Sequence, residues 1–143
     1  MASFNKFQDF SEQLVKGVHA FGTHTFKVAL TNSAPLATNT ILADITQIAN
    51  GNGYTTGGAA LPNVAVSEAT GTTTVVSDKV TWTAAGSMGP FRYAVMYNDT
   101  ATSPADALVA WWDYGSSLTL ATGEVFEFKP SNSDTGGTLF TQA

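Results

Sequence analysis

Two periodicities divide the chain. Over residues 3–18, Phe4, Phe7, Phe10, Leu14 and Val18 recur every three or four positions, the spacing of one apolar stripe on a helix. Ser3 is placed to cap its start and Gly17 lies just past its end. Glu12 and Lys16 stand four apart in the order that supports a helix. From residue 25 the period falls to two. Phe26, Val28 and Leu30 alternate with Lys27 and Ala29, which predicts a strand over Thr25–Thr31 before a turn at Asn32–Pro35. Thr40–Ala49 fits either a short helix carrying Ile41, Leu42, Ile45 and Ile48, capped by Asn39 or Thr40, or a strand.

Asn50–Ala60 is rich in glycine and reads as a loop with several positions free to take positive φ, either flexible or ordered by a partner. Strands follow at Asn63–Ala69, Thr72–Ser77 and Asp78–Ala85, the last with Val80, Trp82 and Ala84 on one face. Gly86–Pro90 breaks the pattern. In Phe91–Asn98, Phe91, Tyr93, Val95 and Tyr97 alternate with Arg92, Ala94, Met96 and Asn98. In Ala107–Tyr114, Leu108, Ala110, Trp112 and Tyr114 alternate with Val109, Trp111 and Asp113. Gly115–Ser117 reads as a turn, Ser117–Ala121 and Glu124–Lys129 as strands around a Thr122–Gly123 hairpin, and Thr138–Gln142 as a last short strand.

Short strands separated by turn signals at roughly 8–12-residue spacing predict a sandwich or barrel. No βαβ alternation occurs, so a parallel α/β sheet is disfavoured. The expectation is an all-β, jelly-roll-like or Greek-key β-sandwich over residues 25–143, preceded by a short N-terminal helix in residues 1–24 that packs on the domain or on a neighbour.

Composition narrows the function. Charged residues make up 12% of the 143, about half the usual ~25%. Thr supplies about one residue in seven, so the surface is polar through hydroxyls. That suits a protein docked on a partner. The net charge is −5 and the six basic residues are scattered, which argues against nucleic acid. The absence of cysteine excludes disulfides, thiolate metal ligands and thiol nucleophiles. No run reaches the ~18 apolar residues of a membrane span, and the start lacks the apolar core of a signal peptide. These features predict a soluble chain made in a cytoplasm, without a membrane partner.

Little chemistry is in view. His19 and His24 flank Gly22 and would need Asp9 or Glu12 to complete a metal site; two ordinary polar histidines at a junction are the simpler reading, and no metal or cofactor is expected. No Gly-x-Ser-x-Gly elbow exists. Asp113, Glu124 and Glu127 are the strand acids, and Asp113 between Trp112 and Tyr114 reads as a turn-binding carboxylate ahead of a glycosidase acid. GNGYTTGG in the glycine-rich loop matches neither phosphate-binding fingerprint. No catalytic residue is therefore assigned. Trp111 and Trp112 must point to opposite faces of one strand, which makes one of them a contact candidate. The candidate partner or subunit contacts are Phe4, Phe7, Phe10, Tyr54, Trp111 and Trp112.

Four segments in order, FNKFQDFSEQLVKGVHAFGTHTFKVALTNSAP, LADITQIANGNGYTTGG, GPFRYAVMYNDT and WWDYGSSLTLATGEVFEF, resemble a family of small virion proteins encoded in tailed-phage structural modules. The resemblance spans nearly the whole chain. It implies a virion component without enzymatic activity, made in the host bacterial cytoplasm. Within that class the role that fits best is a capsid decoration or cement protein, a β-sandwich on the capsid exterior, often trimeric, that clamps neighbouring major capsid proteins. Tail, baseplate and head-fibre components with receptor or glycan binding are the alternative. The resemblance carries no contact residues.

Overall fold

A computed structural model describes residues 2–143. Its strands are β1 (Asn5–Lys6), β2 (Phe26–Thr31), β3 (Ala59–Ala60), β4 (Ala65–Ala69), β5 (Thr72–Ser77), β6 (Val80–Thr83), β7 (Met88–Asn98), β8 (Leu108–Leu120), β9 (Val125–Phe128) and β10 (Gly137–Gln142). One helix, α1 (Gln8–Val15), precedes β2. The fold is all-β and sandwich-like with a short N-terminal helix, as the alternation predicts. All strand pairs are antiparallel. One layer is a five-stranded sheet in the order β1-β8-β7-β2-β3; β10-β5-β4 and β6-β9 form two smaller sheets.

Strand β2 explains why the large sheet is buried on both sides. Phe26, Val28 and Leu30 enter the main core with Val75, Trp82, Phe128 and Leu139 of the smaller sheets. Ala29, between them, faces a second cluster of Phe7, Ile45, Val95, Tyr97 and Leu108. The chain between β2 and β3 folds back over this second face. Its ambiguous segment Thr40–Ala49 resolves into a single 3-10 turn at Leu42–Asp44, with Asp44 Oδ2 accepting from Thr40 N–H at 2.9 Å.

Strict alternation fails in the two longest strands, and bulges are the reason. The β7–β8 register slips between Phe91 and Tyr93 and again between Met96 and Tyr97. An extra residue resets which side chains face inward. Phe91, Ala94 and Met96 share the main core, as do Val109, Ala110 and Trp112, whereas Val95, Tyr97 and Leu108 face the other way. The faces predicted for these strands are corrected accordingly. Strand β8 also runs through Gly115–Ser117 without turning, and the break expected at Gly86–Pro90 is the start of β7. Thr122–Gly123 does not close a hairpin. It carries the chain from β8 to β9, which pairs with β6 in another sheet.

The N-terminal stripe departs most from its prediction. Only Gln8–Val15 is helical. Before it, Asn5 and Lys6 pair with Trp111 and Ala110, and Phe7 N–H donates to Val109 C=O at 3.2 Å. Extended backbone puts Phe4 and Phe7 on opposite sides of the sheet, where a helix would align them. Phe4 stacks on Phe140 at 5.2 Å, while Phe7, fully buried, lies 4.7 Å from Trp111. Pairing with the β8 edge outweighs extending the helix back over Phe4 and Phe7.

The smaller sheets form a kinked ribbon. Strands β4 and β5 join through Thr70 (φ 48°) and Gly71 (φ 85°), a two-residue turn with both centres at positive φ, and Glu68 accepts from Gly71 N–H at 2.7 Å. At the kink between β5 and β6, Asp78 accepts from Gly136 N–H at 2.8 Å and from the Asn63 amide at 2.6 Å.

Candidate binding cleft

Aromatic and charged residues on three strands line a cleft. Strand β7 brings Phe91, Arg92 and Tyr93, β8 brings Trp112 and Tyr114, and β9 brings Phe126, Glu127 and Phe128. Between them lies a cleft of about 340 Å³. That is within the usual range for small-molecule sites.

The floor is apolar and fixed. Trp112 meets Phe128 edge-on at 4.8 Å, and Phe91 meets Phe126 in the same way at 4.8 Å. Tyr114 stands on the wall, edge-on to Phe126 at 5.9 Å, and is 56% exposed. Such exposure is notable for a tyrosine beside buried aromatics, because a ring that size ordinarily gains by being covered.

The rim is polar. Arg92 grips Asp113 with two bonds, Nε to Oδ1 at 2.8 Å and Nη2 to Oδ2 at 3.1 Å, and its guanidinium lies 5.5 Å from the centre of the Tyr93 ring. Asp113 also accepts from Gly115 N–H at 2.8 Å. The Arg92 hydrogen bond, then the Gly115 N–H, hold its carboxyl below the usual range. Across the cleft Glu127 pairs with Lys79 and, at 3.8 Å, with Lys129, and Lys129 reaches Asp134 at 2.9 Å. The Lys79 hydrogen bond, with charge from Lys129, likewise holds Glu127 below the usual carboxylate range. Both acids beside the cleft are thus stabilised as anions. A retaining or inverting glycosidase needs one carboxyl kept protonated. Glu124, the third strand acid considered, instead accepts from Ala121 N–H at 2.6 Å in the turn before β9.

The histidines do meet, but on an amide. Asn98 Nδ2 lies 3.2 Å from His19 Nδ1 and 3.0 Å from His24 Nδ1. Among the described residues no group of three or more His, Asp or Glu stands close enough to hold a metal ion.

The six contact candidates all lie against the chain's own body. Phe7, Phe10, Tyr54 and Trp112 are 0%, 2%, 1% and 4% exposed, and Phe4 and Trp111 are half-buried. Phe7, Phe10, Tyr54 and Trp112 are thus closed off within the fold, whereas Phe4 and Trp111 keep part of their surface open. Tyr54 corrects the picture of a flexible loop. Its hydroxyl donates to Gln47 Oε1 at 2.6 Å and accepts from Leu30 N–H at 3.2 Å, and burial pushes its pKa up to about 12. Gly57 N–H donates to the same Gln47 oxygen at 2.7 Å, and Tyr97 O–H donates to Gly57 C=O at 2.6 Å. The glycines here serve close approach, since a Cβ on Gly58 would fall 1.8 Å from Val28 O.

In the sequence Tyr114 belongs to the Trp111-Trp112-Asp113-Tyr114 cluster, the feature that supports the glycan-binding alternative, but nothing there joins it to Arg92, Tyr93 and Phe126. The usable signal was the aromatic–charge alternation of Phe91-Arg92-Tyr93 and Phe126-Glu127-Phe128-Lys129. Which strands would adjoin was not legible. Compared with known proteins, the chain matches no family model, no curated protein and no solved structure.

Proposed function

We propose that this chain is a non-enzymatic structural protein of a tailed-phage particle, a decoration or cement protein that binds the assembled capsid from outside and stabilises it. The observation that carries the reading is a bare sheet edge. Strand β4 is exposed at all five positions and pairs only with β5. Folded proteins normally shield such edges, because their free N–H and C=O groups template pairing with another chain. Beside it lies an open apolar groove lined by Leu14, Phe21, Val66, Val75 and Phe140, with Val66 47% exposed. The four segments that resemble small phage virion proteins agree with this role.

A ligand that binds only the assembled shell stabilises it by mass action. Homo-oligomerisation, as a trimer in this reading, multiplies weak contacts with the major capsid protein through effective concentration. The test is add-back. Capsids lacking this protein are mixed with the purified chain, sedimented and heated. Co-sedimentation and a higher temperature of genome release are expected; a chain that stays in the supernatant and leaves heat release unchanged overturns the proposal.

A further inference from the structure

We infer that the cleft between β7, β8 and β9 is a binding site for one ring of a neutral saccharide. This goes beyond the capsid role and does not depend on it.

Three observations converge. The first is shape. The cleft has a fixed apolar floor of nearly buried Phe91, Trp112 and Phe128, and the half-buried Phe126 and exposed Tyr114 offer ring surface on its wall. The C–H face of a pyranose is apolar and stacks on such rings, while its hydroxyls point outward. The second is the rim. Arg92, Glu127 and Lys129 line the opening with Asn132, and each charged group is already matched: Arg92 by Asp113, Glu127 by Lys79, Lys129 by Asp134. The rim and its partners therefore carry no net charge. An anionic ligand would meet Glu127, and an Arg92 already neutralised by Asp113, while a cationic one would meet Arg92 and Lys129. Hydroxyl groups both donate and accept, so they suit a rim of fixed, balanced donors and acceptors.

The third observation is the rigidity of those groups. The bidentate Arg92–Asp113 pair is anchored further by Gly115 N–H and by the Tyr93 ring face. The two bonds use Nε and Nη2, so neither occupies Nη1. A guanidinium fixed in this way loses little freedom on binding.

The experiment is saturation-transfer NMR on the purified chain with three neutral probes, maltotriose, cellotriose and tri-N-acetylchitotriose, and one anionic probe, sialyllactose. Transfer to the ring protons of at least one neutral probe is expected, with amide shifts in the wild-type chain confined to the neighbourhood of Arg92, Tyr93, Tyr114 and Lys129. Tyr114→Ala, whose exposed ring is not needed for the core, is expected to weaken binding about tenfold or more. Val15→Ala, remote from the cleft, is expected to leave binding unchanged. The inference is overturned if no neutral probe receives saturation, if sialyllactose binds in preference, or if the shifts map elsewhere. Should Tyr114→Ala unfold, the shift map on the wild-type chain still decides.

Discussion

Asn98 donates its side-chain amide to Nδ1 of His19 across 3.2 Å, and this bond fixes where the histidine keeps its proton. The amide cannot be turned round, because Asn98 Oδ1 already accepts from Thr100 N–H at 3.0 Å and Ala101 N–H at 3.2 Å. The amide's two N–H bonds serve Val18 C=O at 3.3 Å and the Nδ1 atoms of His19 and His24, so His19 Nδ1 faces a donor, stays unprotonated, and leaves the neutral ring's hydrogen on Nε2. That atom is buried among Phe10, Phe21 and Phe26 with no hydrogen-bond partner among the described residues.

This arrangement sets a pH dependence. Burial, with the charge of His24 added and that of Asp9 opposing, lowers the His19 pKa from 6.5 to about 4. The unfolded chain takes up this proton below about 6.5, while the folded chain refuses it until about 4. Stability is accordingly complete above pH 6.5 and falls as pH drops through that window, by at most about 1.4 kcal/mol per pH unit for the one proton. Asp44, Asp78, Asp113, Glu127 and Asp134 have lowered pKa values, so their share is lost only at more acid pH. Urea unfolding of His19→Leu across pH 7 to 4 is expected to have a shallower slope than the wild type. An unchanged slope would refute the assignment.

Phe7→Ala is expected to destabilise the chain by about 3–5 kcal/mol, the usual cost of a large aromatic deleted from a core. The ring is fully buried and joins β8 to the second cluster. Val15→Ala, on a residue 88% exposed, is expected to stay within about 0.5 kcal/mol. Chemical denaturation of both variants measures the contrast. A docked N-terminal segment that contributed nothing would show two equal values.

Two glycines with similar φ should respond very differently to alanine. Gly71 (φ 85°) has open space where a Cβ would stand, so Gly71→Ala is expected to cost about 1 kcal/mol from backbone strain alone. Gly58 (φ 76°) adds a clash with the backbone of Val28, and its alanine variant is expected to cost several times as much or to fail to fold. Thermal unfolding of the pair is the check.

The same residues mark how far the sequence could be read. The alternation of Phe26, Val28 and Leu30 and the run at Thr72–Ser77 fell within a residue or so of β2 and β5, because each is uninterrupted. Val109, which alternation sets opposite Ala110, shares the main core with it, because a bulge is a property of a strand pair and leaves no trace in one strand. Phe4 and Phe7 fit a helix by spacing, and only the free edge of β8, about a hundred residues away, makes them extended. For the cleft, each wall was visible as a local pattern, but the pairing of β9 with β6, away from β8, is a long-range choice.

If β4 is the capsid-contacting edge, Val66→Lys should separate binding from stability. The side chain is 47% exposed, so the purified variant is expected to unfold within about 0.5 kcal/mol of the wild type. Its co-sedimentation with capsids should be lost. Retained co-sedimentation would remove β4 from the interface, and size-exclusion light scattering on the same samples would report whether the wild-type chain runs at three times its 14.9 kDa mass.

The docking of Asn5 against Trp111 and of Phe4 against Phe140 also orders events in time. On the ribosome residues 4–7 emerge early, yet their seat does not exist until residues 108–140 have followed. A stretch made before its seat is therefore latched only after that seat is made. Until then Phe4, Phe7 and Phe10 stand free of a half-made sheet, and a chaperone that grasps this segment would be holding the piece that closes the molecule.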